Sequence, residues 1–361
     1  MESFNLNLCL RIDGLIDFKE VNKVLIELGF KQRFNQKFNH FQWYRWFEKY
    51  QSITGCDFSI DNKMSVDSNG NQIYTLFKAT TYQGRSYADL EMQNKVIGKM
   101  QQEFGGGLCD EDGLPTSFLE NILPQLTSAE IVCDVEYGRF LNNLNKFNRL
   151  IEEVDEELLE DYHSTKDSGM KELFSSSLSN NDSLLRNNTL IPFAVATLED
   201  FLKNFLVENL ETNEKARDRI FQNDRKIKYS EIKEVLAGEK SLIDMEMDFY
   251  NFQNLESANN AYNKFFDFDI FKEVLCKETS LENKKVTILS VISELITIRH
   301  KVIHEAKIDY TLGKKKMKQY YAFLHLFGDE FMHKFRDKLE LRNAFKELNY
   351  LEIVSRLKNG R

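Results

Sequence analysis

Proline occurs only three times in 361 residues and glycine sixteen times. So few turn residues and helix breakers disfavour a fold of many short strands and favour long helices. No run of about 18 apolar residues occurs, and the start, MESFNLNLCLRIDG, lacks the basic and then apolar blocks of an export signal. The five cysteines are scattered and never form C-x-x-C, which argues against a zinc ribbon or disulfide frame and for buried thiols in a reducing compartment. A cytoplasmic protein with no membrane contact is therefore expected. Positive charge is also in deficit, 48 Lys and Arg against 57 Asp and Glu, so a polyanionic partner would have to meet a local patch. There is no G-x-S-x-G elbow to mark a nucleophilic serine and no phosphate-binding loop ending in Lys and Ser or Thr.

What is present divides the chain into four stretches. Residues 1–112 read as an α+β domain. Phe4, Leu6, Leu8, Leu10 and Ile12 alternate as in a half-buried strand, and Phe18, Val21, Val24, Leu25 and Leu28 follow at helical spacing up to Gly29. The segments HFQWYRWFEKY, CDFSI and NQIYTLFKATTY read as further strands, the last two joined by a turn at Asn69-Gly70. The aromatic cluster from Phe41 to Tyr50 is read as core rather than as a base-stacking platform, and GGGLCDEDG as a mobile connector rather than a phosphate cradle. Residues 113–162 are expected to be a helical connector, with Phe140, Leu144, Phe147, Leu150, Ile151, Val154 and Leu158 on one stripe. Residues 163–188, rich in Ser, Asn and Asp, are read as a flexible linker. From 189 to 361 the pattern is a helical bundle. Its first helix is expected to start at Pro192, and its fourth at Thr279 or Ser280 with Glu282 completing the cap.

That fourth helix ends in an unusual way. After Val286, Leu289, Ile292, Leu295 and Ile296 it reaches RHKVIH, where Arg299 is followed at once by His300 and five positions later by His304. An imidazole exchanges protons near neutrality, and a guanidinium is a permanent forked cation matched to phosphate. Cleavage of RNA by its own 2′-hydroxyl needs a base, an acid and a cation facing the phosphoryl oxygens, and it needs no metal. Five positions on a helix turn the direction by about 140° and rise about 7.5 Å. Convergence of Arg299 with His304 therefore requires a loosened helix, a long reach by Arg299, or two chains.

The pattern RHKVIH, placed late in a bundle that opens with ATLEDFLKNFL, resembles the HEPN superfamily. These are helical-bundle proteins, many of them metal-independent ribonucleases, marked by an arginine, a following polar residue and a nearby histidine. The resemblance implies a mainly α protein in which the α+β domain precedes an all-α HEPN-like bundle. It implies Arg299, His304 and His300 as the catalytic residues of an endoribonuclease, no cofactor, and a homodimer that pairs two motifs. It also implies a toxin or antiphage defence role, with an antitoxin or regulatory partner at the N-terminal domain. In toxin members a tyrosine stands two places after the histidine; here that place is Ala306.

Lys301, Lys307, Lys314, Lys315, Lys316 and Lys318 are the expected RNA-binding residues, with a second basic cluster at Arg217, Arg219, Arg225, Lys226 and Lys228. Two other readings stand beside this one. His300 and His304, four apart, share a helix face as paired zinc ligands do, with Asp309, Asp244 or Glu246 as a third ligand. Alternatively the protein is a non-catalytic scaffold or RNA- or protein-binding module, with His304 hydrogen-bonded inside the bundle and Arg299 paired to Glu294 or Glu305. His40, His163, His325 and His333 are read as structural or surface residues.

Overall fold

The computed structural model describes residues 5–33, 41–67, 70–222, 228–281 and 284–342. Its contacts divide the chain into two compact units, Met1–Asp134 together with the chain from Arg342, and Val135–Leu341. The fold is mainly α with an α+β N-terminal part. No helix among the described residues is long and apolar enough to cross a membrane.

The first unit is one antiparallel sheet with two helices on one face. Its strands are β1 Leu6–Asp13, β2 Lys31–Gln32, β3 Phe41–Trp46, β4 Cys56–Asp67, β5 Gly70–Thr81 and β6 Gly107–Cys109, in the order β2-β3-β4-β5-β1-β6. The alternation at Leu8, Leu10 and Ile12 turns those side chains into a core shared with Phe58, Ile60 and Phe77. Helices α1 Phe18–Glu27 and α2 Tyr87–Phe104 close that face with Val21, Leu25, Val96, Ile97 and Met100. Pairing of Asp67 with Gly70 leaves a two-residue hairpin connection, whose Asn69 lies outside the described residues, as does His40.

The aromatic cluster splits by strand parity. Tyr44 and Trp46 enter the core, while Phe41 and Phe47 face outward. The glycine-rich stretch is not a mobile connector, because Gly107–Cys109 adds an edge strand to β1. Gly55 sits at φ +74°, where a Cβ would lie 2.6 Å from the Trp46 carbonyl oxygen. The loop it belongs to is pinned by the buried Asp89 carboxylate, which accepts from the backbone N–H groups of Ile53, Thr54, Gly55 and Ser86.

Helix α3, Ser128–Leu150, carries the unit boundary, so the division falls at Asp134 rather than at 112. The single helical connector expected through Tyr162 is broken. Residues 151–155 are irregular, and Asp155 caps a new helix, α4 Glu156–Ser164. The expected flexible linker at 163–188 is helical as well. Asp167 caps α5 Ser168–Ser179 and Asn181 caps α6 Asp182–Thr212. The Ser, Asn and Asp content that resembles linker composition is helix-capping chemistry. Pro192 lies inside α6 rather than at its start. It removes one N–H from the ladder, while the side chains of Asn187 and Asn188 just before it bond to other segments. Asn187 holds the backbone of Glu152 and Leu312, and Asn188 exchanges bonds with the backbone of Asp309.

The second unit continues with α7 Glu214–Asp218, a 3₁₀ turn Arg219–Gln222, α8 Tyr229–Leu236, α9 Leu242–Met247, α10 Leu255–Phe266 and a π turn Phe271–Leu275. A hairpin, β7 Glu278–Leu281 and β8 Lys284–Thr287, occupies the place where the fourth helix was expected to begin; Glu282 lies outside the described residues. The cap is instead Thr287, whose hydroxyl accepts the Ser290 N–H at 3.1 Å, and α11 runs Ile288–His304. α12 spans Lys314–Leu339. An aromatic core of Phe140, Phe201, Phe205, Tyr262, Phe268, Phe331 and Phe335 binds α3, α6, α10 and α12 together through stacked and edge-to-face rings.

Candidate active site

The motif occupies the last turns of α11. Ile288, Val291, Ile292, Leu295 and Ile298 bury one stripe of the helix and fix its rotation. The helix stays regular through His304. It then ends as the N–H groups of Glu305 and Lys307 turn back to the Lys301 carbonyl, with Ala306 in the left-handed region at φ +50°. Ala306, two places after His304, is thus the residue that stops the helix.

With the helix unbroken, Arg299 and His304 point about 140° apart. Arg299 is half-buried, and its charge acts on Glu199 of α6. Burial pushes the Glu199 carboxyl above its usual range, against the opposing pull of Arg299 and of the Gln253 amide. One Glu199 oxygen is buried without a hydrogen-bond partner. His300 and His304 are both exposed, with ring centroids 4.6 Å apart. Neither ring has a hydrogen-bond or ion-pair partner among the described residues. The expected bond of His304 inside the bundle is thus not made to any described residue. The expected partners of Arg299 are also engaged elsewhere, Glu294 with Lys316 at 3.0 Å and Glu305 with Lys307 at 2.6 Å.

Of the lysines near the motif, Lys307, Lys314 and Lys316 are ion-paired, Lys314 with Glu153 at 2.9 Å, while Lys318 keeps its charge and bonds the Asn148 carbonyl at 3.1 Å. Lys315 lines an open cleft beside α4, and Lys301 is exposed with no ion pair among the described residues. Lys314, Lys315 and Lys316 form the first turn of α12, the end at which the helix dipole disfavours cations. In the second cluster, Arg219 bonds Asp267 at 2.6 Å and Arg217 the Glu211 carbonyl at 3.3 Å. The Lys228 backbone N–H donates to Glu231, and Arg225 and Lys226 lie outside the described residues.

The candidate third metal ligands are committed elsewhere. Glu246 is buried and paired with Lys264 at 2.6 Å, Asp244 caps α9 with Ser241, and Asp309 accepts from Thr311. Among the described residues no group of three His, Cys, Asp or Glu side chains could hold a metal ion. His325 and His333 each face an aspartate one turn on, Asp329 and Asp337.

Two features escaped the sequence reading. Glu199 was legible only as one acid in an apolar helix, LEDFL. His163, read as a structural or surface residue, is exposed and lines the cleft of about 670 Å³ with Tyr310, whose carbonyl lies 3.4 Å from the His163 Nε2. Only the fold brings positions 163 and 310 together. Comparison with protein-family models, curated proteins and solved structures gives no match for this chain.

Proposed function

We propose that the C-terminal unit is a metal-independent endoribonuclease of the HEPN type that works as a pair of chains. The observation that carries this reading is the exposed His300 and His304 pair, without hydrogen-bond or ion-pair partners among the described residues, one turn from a half-buried arginine. A core or capping role would have engaged those rings. In the reaction, the 2′-hydroxyl attacks its adjacent phosphorus, the P–O5′ bond breaks, and a 2′,3′-cyclic phosphate and a 5′-hydroxyl result. His304 moves the proton, Arg299 holds the phosphoryl oxygens and His300 assists by polar contact. Because Arg299 and His304 diverge on one unbroken helix, the arginine of one chain and the histidine of its partner complete a site. Ile303, an exposed apolar side chain between the histidines, suits burial in such a pairing. The proposed setting is a toxin or antiphage effector, with a regulatory partner engaging the N-terminal unit.

The test incubates the full chain with mixed RNA in chelator, alongside His304→Ala and Arg299→Ala. Fragments ending in 2′,3′-cyclic phosphate are expected, with losses of about 10²–10⁴-fold in the variants. Cleavage that survives His304→Ala, or intact RNA with the wild type, would overturn the assignment. A second reading, a non-catalytic scaffold or protein-binding module, is favoured by the ion-paired lysines. It would leave RNA intact and unbound.

A further inference from the structure

The first unit carries a groove along the start of α2. Its wide end, about 740 Å³, is lined by Trp46, Met92, Phe118 and Leu119, and its narrow end, about 270 Å³, by Gln125, Leu126 and Ile131. Gln51, Ala88 and Glu91 line both ends, which therefore lie side by side. Phe118 on the wall is 44% exposed. The asparagines of the wide end are satisfied, since Asn94 exchanges bonds with the Leu119 backbone and Asn121 holds the Tyr87 carbonyl. The side chains of Gln51, Glu91 and Lys95 have no partner among the described residues, although Glu91 and Lys95 stand one helical turn apart on α2, a spacing that permits pairing. The groove thus offers a lining about as polar as apolar, with one charge of each sign at its rim that has no partner among the described residues, the profile of a site for a peptide side of mixed character.

The chain itself leads to this place. Arg342 is fixed at the narrow end, where its guanidinium donates to the Gln125 carbonyl at 2.6 Å and to both carboxylate oxygens of Glu130 at 2.9 and 3.1 Å. The sequence after it, NAFKELNYLEIVSRLKNGR, lies outside the described residues. It places Ala344, Phe345, Leu348 and Leu351 at the i, i+1, i+4, i+7 spacing of one helical face, with Lys346 and Glu347 beside them. Such an apolar stripe needs a surface to cover it, and an open groove begins where Arg342 is held.

We propose that the groove of the N-terminal unit is the seat of the chain's own C-terminal segment, residues 343–361. The apolar stripe covers Trp46, Met92 and Phe118, and Lys346 and Glu347 meet Glu91 and Lys95. A partner peptide entering this groove must displace the segment, so the seat is also a point of competition for regulators of the N-terminal unit.

Phe118→Trp puts a reporter indole on the groove wall of the full chain, read by acrylamide quenching with and without Leu348→Asp. Quenching is expected to rise about twofold with Leu348→Asp, as a covered ring becomes about half exposed. A synthetic peptide of residues 343–361 should restore the shielding saturably, and a peptide carrying the same substitution should not. Quenching unchanged by Leu348→Asp would overturn the proposal. Shielding that rises with protein concentration would do so too, because the occupant would then be a second copy. In the unaltered chain, carbodiimide should join Glu91 or Lys95 to residues 346–358, and absence of that link counts against the seat.

Discussion

Arg342→Met removes a guanidinium from a carboxylate that has almost no access to water. Glu130 is 3% exposed and completes a reciprocal cap at the start of α3, where its Oε2 accepts the Thr127 N–H at 2.7 Å and its own N–H donates to the Thr127 hydroxyl. Burial alone would raise the Glu130 carboxyl, but the side-chain and backbone bonds from Arg342 and Thr127 outweigh it and hold the group at about 2, against an ordinary 4.5. That difference corresponds to about 3 kcal/mol of stability for the ionised form. Part of it belongs to Thr127, and the Arg342 side chain is 42% exposed, so solvent screens its share. Loss of Arg342 should therefore cost about 2 kcal/mol at pH 7. The folded pKa is depressed, so this contribution is complete above about pH 4.5 and is lost as pH falls through about 2; by pH 3 roughly two-thirds has gone. Urea unfolding of wild type and variant at pH 7 and pH 3, followed on the N-terminal unit, measures both numbers. A cost below about 0.5 kcal/mol at pH 7, or one that is the same at both pH values, would refute the argument.

Gly328→Ala should destabilise the second unit by about 1–3 kcal/mol, because the new methyl would stand 2.6 Å from Phe140 Cε1 and 3.1 Å from Tyr137 Cε2; thermal unfolding reads it. Asp89→Ala strands the buried N–H groups of the Ile53–Gly55 loop and should cost about 3 kcal/mol, with faster amide exchange at those residues. Ala306→Gly should stabilise by about 1 kcal/mol, since glycine adopts φ +50° without the Cβ penalty, and RNA cleavage should persist if the proposed chemistry resides in Arg299 and His304.

The parts of the fold readable from the sequence are those governed by local periodicity. Alternation at Leu8, Leu10 and Ile12 depends on how side chains project from one element and occurs where expected, whereas of the stripe expected for α11 only Ile292 and Leu295 are buried, beside Ile288, Val291 and Ile298, and Val286 lies in β8. Misreadings came where one composition serves two structures. Asp and Asn suit turns as well as helix N-caps, and at Asp167 and Asn181 only the helix that follows distinguishes the cases. Thr279, Ser280 and Thr287 all precede an apolar run, yet pairing of Glu278 with Thr287 takes the first two into a strand. Pro192 reads as a helix start because its neighbours cannot reveal that Asn187 and Asn188, bonded to distant loops, lie in the same helix.

The sequence by itself determined a proline-poor, mainly helical chain with an α+β beginning, and it placed an arginine and two histidines at the end of one amphipathic helix. Tertiary structure alone decided what those groups face: α6 and Glu199 for Arg299, solvent for His300 and His304. It also decided which lysines are ion-paired, and that Arg342 returns to Glu130 at the edge of an open groove. The physical reason is range. Backbone and side-chain periodicity act over a few residues, whereas burial, ion pairing and cavity formation depend on neighbours that can lie 200 residues away and that no local pattern encodes.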